Sequence, residues 1–157
     1  MNGFDSRRLG TRRRLLKAAG ALALAPWLPA RAADRILPEI PALSAFLAGR
    51  VPRWERVHLV LPALADNGHV VPMKVAVDGP FAPGPHVSAI RLYSPSNPVP
   101  EMAVFEFPVP LERIEVESRV RLADSQRLVA VVAMSDGALL TAVADVIVTL
   151  AGCLDGT

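Results

Sequence analysis

Several things are scarce in this chain of 157 residues, and each scarcity closes off a class of protein. There is one cysteine, so no internal disulfide framework can hold the fold together. Aromatic residues make up only 5%, while fifteen prolines and ten glycines interrupt the sequence, which excludes a bundle of long helices. The longest weakly apolar run, Ala18 to Leu28, has eleven residues, too few to span a bilayer core of roughly 30 Å as a helix. A strong excess of either charge is missing from most of the chain as well. The formal net charge is +2, but residues 1–32 hold seven of the seventeen basic residues and only one of the fifteen acidic ones. Residues 33–157 therefore carry ten basic against fourteen acidic groups, a net of −4, and the basic character that would suit nucleic acid belongs to the first segment alone.

That first segment reads as an export signal. Thr11-Arg12-Arg13-Arg14-Leu15-Leu16-Lys17 resembles the twin-arginine signature, with Leu15 at a position where phenylalanine is common. The weakly apolar Ala18–Leu28 stretch follows, and Pro29 then breaks any helix. Ala30-Arg31-Ala32 offers the small residues that signal peptidase accepts, which places cleavage after Ala32. The expected organisation is a signal peptide over 1–32, a helical cap and linker over 33–55, a sandwich domain over 56–151 and a C-terminal arm over 152–157. No membrane anchor remains after processing, and the expected compartment is the periplasm. Twin-arginine export carries folded proteins, and no cofactor motif follows the signal. Export together with a folded partner is the simpler account.

What is present is a period of two. In Glu115–Leu122, Val116, Val120 and Leu122 fall on one face and Glu115, Glu117, Arg119 and Arg121 on the other, as a half-buried strand requires. Similar runs occur at Arg56–Leu61, Val70–Val77, Val87–Tyr93, Pro100–Phe107, Arg127–Met134 and Leu139–Ala151. Asp66-Asn67-Gly68, Asp78-Gly79-Pro80 and Ser135-Asp136-Gly137 supply turns between them. Seven strands at this spacing predict an all-β fold, an immunoglobulin-like antiparallel sandwich. Ala42–Leu47, closed by Gly49, predicts one short N-terminal helix.

The residues that usually carry catalysis are not arranged for it. His58, His69 and His86 are eleven and seventeen residues apart without a second ligand at strand or helix spacing, so they read as surface or loop histidines and no metal site is expected. Glu112, Glu115 and Glu117 fit a solvated strand face, and Ser135-Asp136-Gly137 lacks the elbow of a serine nucleophile. The four methionines fill core gaps by default. Cys153 remains. A lone cysteine in an exported protein is buried, paired with another molecule or kept as a reactive thiol, and its place after the last strand argues against burial.

Taken in order, Ala65-Asp66-Asn67-Gly68 with Val70-Val71-Pro72, Asn97-Pro98 with Pro100-Glu101, Arg119-Val120-Arg121-Leu122-Ala123, Val129–Gly137 and the closing Val148-Thr149-Leu150-Ala151-Gly152-Cys153 resemble the SoxY family of sulfur carriers over about Val57 to Cys153. The resemblance implies a protein that is no catalyst and needs no cofactor. It implies a heterodimer with a SoxZ-like subunit and a carrier cysteine to which thiosulfate-derived sulfur is covalently attached. Cys153 then becomes the attachment point, with Gly152 and Gly156 as the flexible residues of the arm. The implied enzymes acting on it are a c-type haem protein that joins thiosulfate to the thiol and a dimetal hydrolase that releases sulfate. The family pattern Gly-Gly-Cys-Gly-Gly is replaced here by Ala151-Gly152-Cys153-Leu154-Asp155-Gly156-Thr157, which adds bulk and a carboxylate beside the thiol. Two other readings have less behind them. One is an exported immunoglobulin-like interaction module whose cysteine is vestigial or disulfide-forming, and the other is a metallochaperone built on the scattered histidines and methionines.

Overall fold

A computed structural model describes residues 35–79, 81 and 83–152. Over these the chain forms helix α1 (Pro41–Leu47) and strands β1 (Val57–Val60), β2 (Leu64–Ala65), β3 (Val71–Val77), β4 (Val87–Tyr93), β5 (Glu101–Glu106), β6 (Ile114–Val120), β7 (Gln126–Met134) and β8 (Leu139–Val148). The strands make an immunoglobulin-like sandwich of two sheets, one ordered β1-β3-β6 and the other β2-β8-β7-β4-β5.

The period of two becomes the core. Val71, Met73, Val75 and Val77 of β3 are buried, as are Ile114 and Val120 of β6, and they pack against Ile90 and Leu92 of β4 and Leu128, Ala130 and Val132 of β7. The alternation fails in β7, where Leu128 through Val132 are all buried. The cause is a third layer. α1 lies on the outer face of the larger sheet, and Ile40, Leu43, Tyr93, Val129, Val131 and Leu139 form a second cluster beneath it. A strand covered on both faces reads as a continuous apolar run.

Pro41 starts the helix at its first position, where a missing N–H costs nothing. The expected helix began one residue later and ended on Gly49. In the structure Ala48 itself takes the left-handed conformation, with φ +48° and its N–H on Ser44 O, and Gly49 follows at φ +79°. One strand escaped the sequence reading. β2 is two residues long and pairs parallel with β8, Leu64 with Ile147 and Ala65 with Val148, so eight strands occur among the described residues and this one pairing is parallel.

Candidate functional site

Four of the segments singled out in the sequence, each far from the others along the chain, meet at one end of the sandwich, where β8 runs out. Beyond Val148 the chain does not leave at once. Thr149 donates its N–H to Ala65 O at 3.1 Å and its hydroxyl to Asp66 O at 2.7 Å. Gly68 N–H donates to Leu150 O at 2.7 Å, Leu122 N–H to Gly68 O at 2.8 Å and Gly152 N–H to Leu122 O at 2.8 Å. These bonds form a backbone clasp in which the Asp66–His69 turn and the segment after β6 grip the residues that lead to Cys153.

Glycine at both jaws is a steric requirement. A Cβ on Gly152 would overlap the Gly68 carbonyl, and one on Gly68 would overlap Leu122 O and stand 2.8 Å from Gly152 N. Gly152, expected as a flexible residue of the arm, is instead buried and hydrogen-bonded, so the anchored part of the chain extends one residue further than expected. Cys153 and Gly156 lie outside the described residues.

Side chains that hold their own backbone brace the clasp. Asn67 Oδ1 accepts the His69 N–H at 2.8 Å, closing the turn. Asn97 Nδ2 donates to Arg121 O at 2.8 Å, and Asn97 Oδ1 accepts the Ala123 N–H at 3.0 Å, so one amide fixes both flanks of Leu122. Gln126, 9% exposed, donates through Nε2 to Asn97 Oδ1 at 3.2 Å and to Asp124 O at 3.1 Å. Its Oε1 accepts from the hydroxyl of the fully buried Ser94, which in turn accepts the Asn97 N–H at 3.0 Å. Polar groups this deep hold one geometry because leaving any of them unbonded costs about 1–3 kcal/mol. The sequence marked Asn97 and the Asp66–Gly68 turn as motif residues, but it carried no sign of Ser94 and Gln126, whose partners lie thirty residues away.

The other candidates sit elsewhere. His58 Nε2 bonds Asp78 Oδ2 at 2.7 Å on an exposed edge, and His86 uses its backbone to meet the β7–β8 turn. Ser135-Asp136-Gly137 is that turn, with Gly137 at φ +86° and Asp136 Oδ1 accepting the Ala138 N–H at 3.0 Å. Glu115 and Glu117 share Lys74 at 2.8 and 3.3 Å, and Arg113 adds a bond to Glu115 at 2.7 Å. Lys74 and then Arg113 hold the Glu115 carboxyl below the usual carboxylate range, as in a charge ladder on an outer face. Among the described residues no three His, Cys, Asp or Glu groups come together as a metal-binding set.

The family described as sulfur oxidation protein SoxY matches residues 44–153, a span that contains the whole clasp and stops at the cysteine. The structure of the sulfur carrier protein SoxY from Chlorobium limicola f thiosulfatophilum is 32% identical, with 69% of this chain and 94% of that one covered at a TM-score of 0.56. A superoxide reductase (neelaredoxin) from Ignicoccus hospitalis shares the fold at 17% identity, with 60% and 80% covered and a TM-score of 0.51. No curated protein sequence matches the chain significantly. On the family match and the likeness to the Chlorobium carrier together, the chain belongs to the SoxY family of sulfur oxidation proteins.

Proposed function

We propose that the protein is a periplasmic sulfur carrier that holds thiosulfate-derived sulfur as a covalent adduct of Cys153 and presents it to the enzymes of a Sox cycle. The observation that carries this reading is the clasp. The chain is fastened to the end of the sandwich through Gly152, and the next residue is the only cysteine. A carrier needs a fixed root as well as a reactive end, since a root in one place lets every partner dock on the same surface.

In this reading the protein supplies a thiol and a docking surface, and others do the chemistry. Loading joins the thiol sulfur to the outer sulfur of thiosulfate. The thiol gives up a proton and two electrons leave to a c-type haem enzyme. A dimetal hydrolase then adds water across the bond to the sulfonate group, which releases sulfate and leaves a sulfane sulfur on the carrier. The protein is the substrate of both steps and catalyses neither.

A SoxZ-like subunit is the proposed constant partner. Leu64 and Ile147, paired in register across β2 and β8, expose 56% and 60% of their surface, and Leu150 just beyond exposes 65%. Such an apolar edge beside the root of the arm suits a second subunit. Export of the pair through the twin-arginine route follows from the Thr11–Lys17 segment and requires the Arg12-Arg13 pair.

Thiosulfate-dependent oxygen uptake by cells tests the reading. Cells carrying Cys153→Ser are expected to lose that uptake while keeping the normal amount of protein in the periplasm. Cells in which Arg12 and Arg13 are both lysine are expected to lose it because the precursor stays in the cytoplasm. Uptake that persists in the Cys153→Ser strain would overturn the proposal.

A further inference from the structure

Among the described residues β6 has β3 as its one neighbour in the smaller sheet, so its other edge is unpaired. Native sheets discourage pairing with other chains by keeping such edges short or irregular. Three of the four terminal strands here fit that rule. β1 has four residues, β2 has two, and the register of β4 with β5 shifts between Leu92 and Tyr93. β6 does not fit it. Its seven residues run opposite β3 in unbroken register, from Ile114 with Val77 to Val120 with Val71.

Alternate residues of a strand turn both backbone groups toward the same edge. Leu122 points to the clasp, through Gly68 and Gly152, while Arg121 O and the Ala123 N–H point the other way, to Asn97. Followed back along the strand, the N–H and C=O of Arg119 and Glu117 lie on the open edge, which Asn97 closes at Arg121. The side chains of these alternate positions stand on the outer face in the order Glu115, Glu117, Arg119, Arg121, and all four residues are exposed. Glu115 and Glu117 share Lys74, whereas the guanidinium groups of Arg119 and Arg121 have no hydrogen-bond or ion-pair partner among the described residues.

An antiparallel strand matched to this edge sets acidic residues against the two arginines and basic residues against the two glutamates. Read in the opposite direction, that strand is β6 itself. From this self-complementarity we propose that β6 pairs with β6 of a second copy of this chain about a two-fold axis, joining the two three-stranded sheets into one. Ser118 stands on the axis opposite its own copy. Glu117 then faces Arg119 of the second copy and Glu115 faces Arg121, each twice. The neighbouring registers that keep the same backbone groups in line set Glu117 against Glu117 or Arg119 against Arg119, so charge selects this one. On the inner face Val116 of one copy meets Val120 of the other, beside the cleft of about 360 Å³ that opens between β6 and Met102 and Phe105 of β5. β5 and β2 are opposite ends of the larger sheet, so the β2–β8 edge proposed for the SoxZ-like subunit stays uncovered.

Sedimentation equilibrium of the purified protein tests the proposal, with Cys153→Ser throughout so that no disulfide through the lone thiol adds to the mass. The expected result is a reversible monomer–dimer equilibrium that weakens as salt is added. Arg119→Glu and Glu117→Arg, which set like charges opposite each other, are each expected to raise the dissociation constant at least about tenfold. The double variant exchanges the two charges and is expected to restore the starting value, a recovery that a merely misfolded variant cannot give. A cysteine at Ser118 is expected to form an intermolecular disulfide about tenfold faster than one at Glu117 or Arg119, because position 118 alone faces itself. A protein that stays monomeric up to millimolar concentration would overturn the proposal. So would a dimer indifferent to the single charge reversals, a double variant as weak as the single ones, or equal crosslinking at the three positions. The reading of Cys153 as the carrier residue is untouched by any of these results.

Discussion

At the scale of single residues, the fold turns on two glycines that do different work from the glycines of its turns. Gly137 and Gly49 are needed for positive φ. Gly68 and Gly152 are needed because backbone passes where any side chain would stand. Gly152→Ala and Gly68→Ala are each expected to destabilise the domain by about 2 kcal/mol, the order found when atoms are forced into a packed site. Hydrogen exchange checks this locally. The amides of Gly68, Leu122 and Gly152 should exchange faster in Gly152→Ala while the central amides of β7 keep the order of protection they have in the wild type. Unchanged exchange at those three amides would mean that the clasp is not closed in solution. The sequence pointed to Gly152 as a residue next to the cysteine, but no composition or spacing distinguishes a glycine chosen for freedom from one chosen for lack of volume. That difference lives in the close approach of residues 68 and 152, which only the folded chain reveals.

At the scale of elements, the helix layer depends on one polar cluster. Tyr93, 1% exposed, donates its hydroxyl to Glu101 Oε1 at 3.0 Å across the β4–β5 pair, and Arg91 bonds the same oxygen. Phe46 of α1 covers both, with its ring 6.4 Å from that of Tyr93 and 4.6 Å from the Arg91 guanidinium carbon. Burial first, and then the bond to Glu101, push the Tyr93 phenol up to about 12. A tyrosine in the unfolded chain ionises near 10. The folded state's advantage from this group is therefore complete below about pH 10 and is lost as pH rises toward 12. Tyr93→Phe is expected to cost about 1 kcal/mol at pH 7 and to remove part of the fall in thermal midpoint between pH 10 and 11.5. An alkaline slope identical in the two proteins would refute this account of the cluster.

Most elements of the sandwich were legible in the sequence for a plain reason. A sheet with one dry face writes its period into the side chains, and Val71–Val77 and Ile114–Val120 do so. β2 was illegible because two residues contain no period, and its partner is chosen by the return of β8 more than eighty residues later. The brace of Ser94, Asn97 and Gln126 was partly hidden for the same reason, since a buried amide looks no different in sequence from an exposed one until its partners arrive.

At the scale of the molecule, the sandwich and its clasp fix where the C-terminal segment begins. Its core holds the two sheets together, its helix seals the larger sheet, and its far loops converge to fasten the chain just before the lone cysteine. The family to which it belongs matches a span that holds all of these segments and ends at the cysteine, and Leu154 and Asp155 follow directly in the sequence. The central claim is that Cys153 bears the sulfur. Its most direct test is the mass of the intact protein and of its C-terminal peptide, taken from cells oxidising thiosulfate, before and after reduction. A reducible gain in mass made of sulfur or sulfur with sulfonate oxygens, confined to the Cys153 peptide and absent from Cys153→Ser, is the predicted result. A thiol recovered without any such adduct, or found only in a disulfide with another protein, would contradict it.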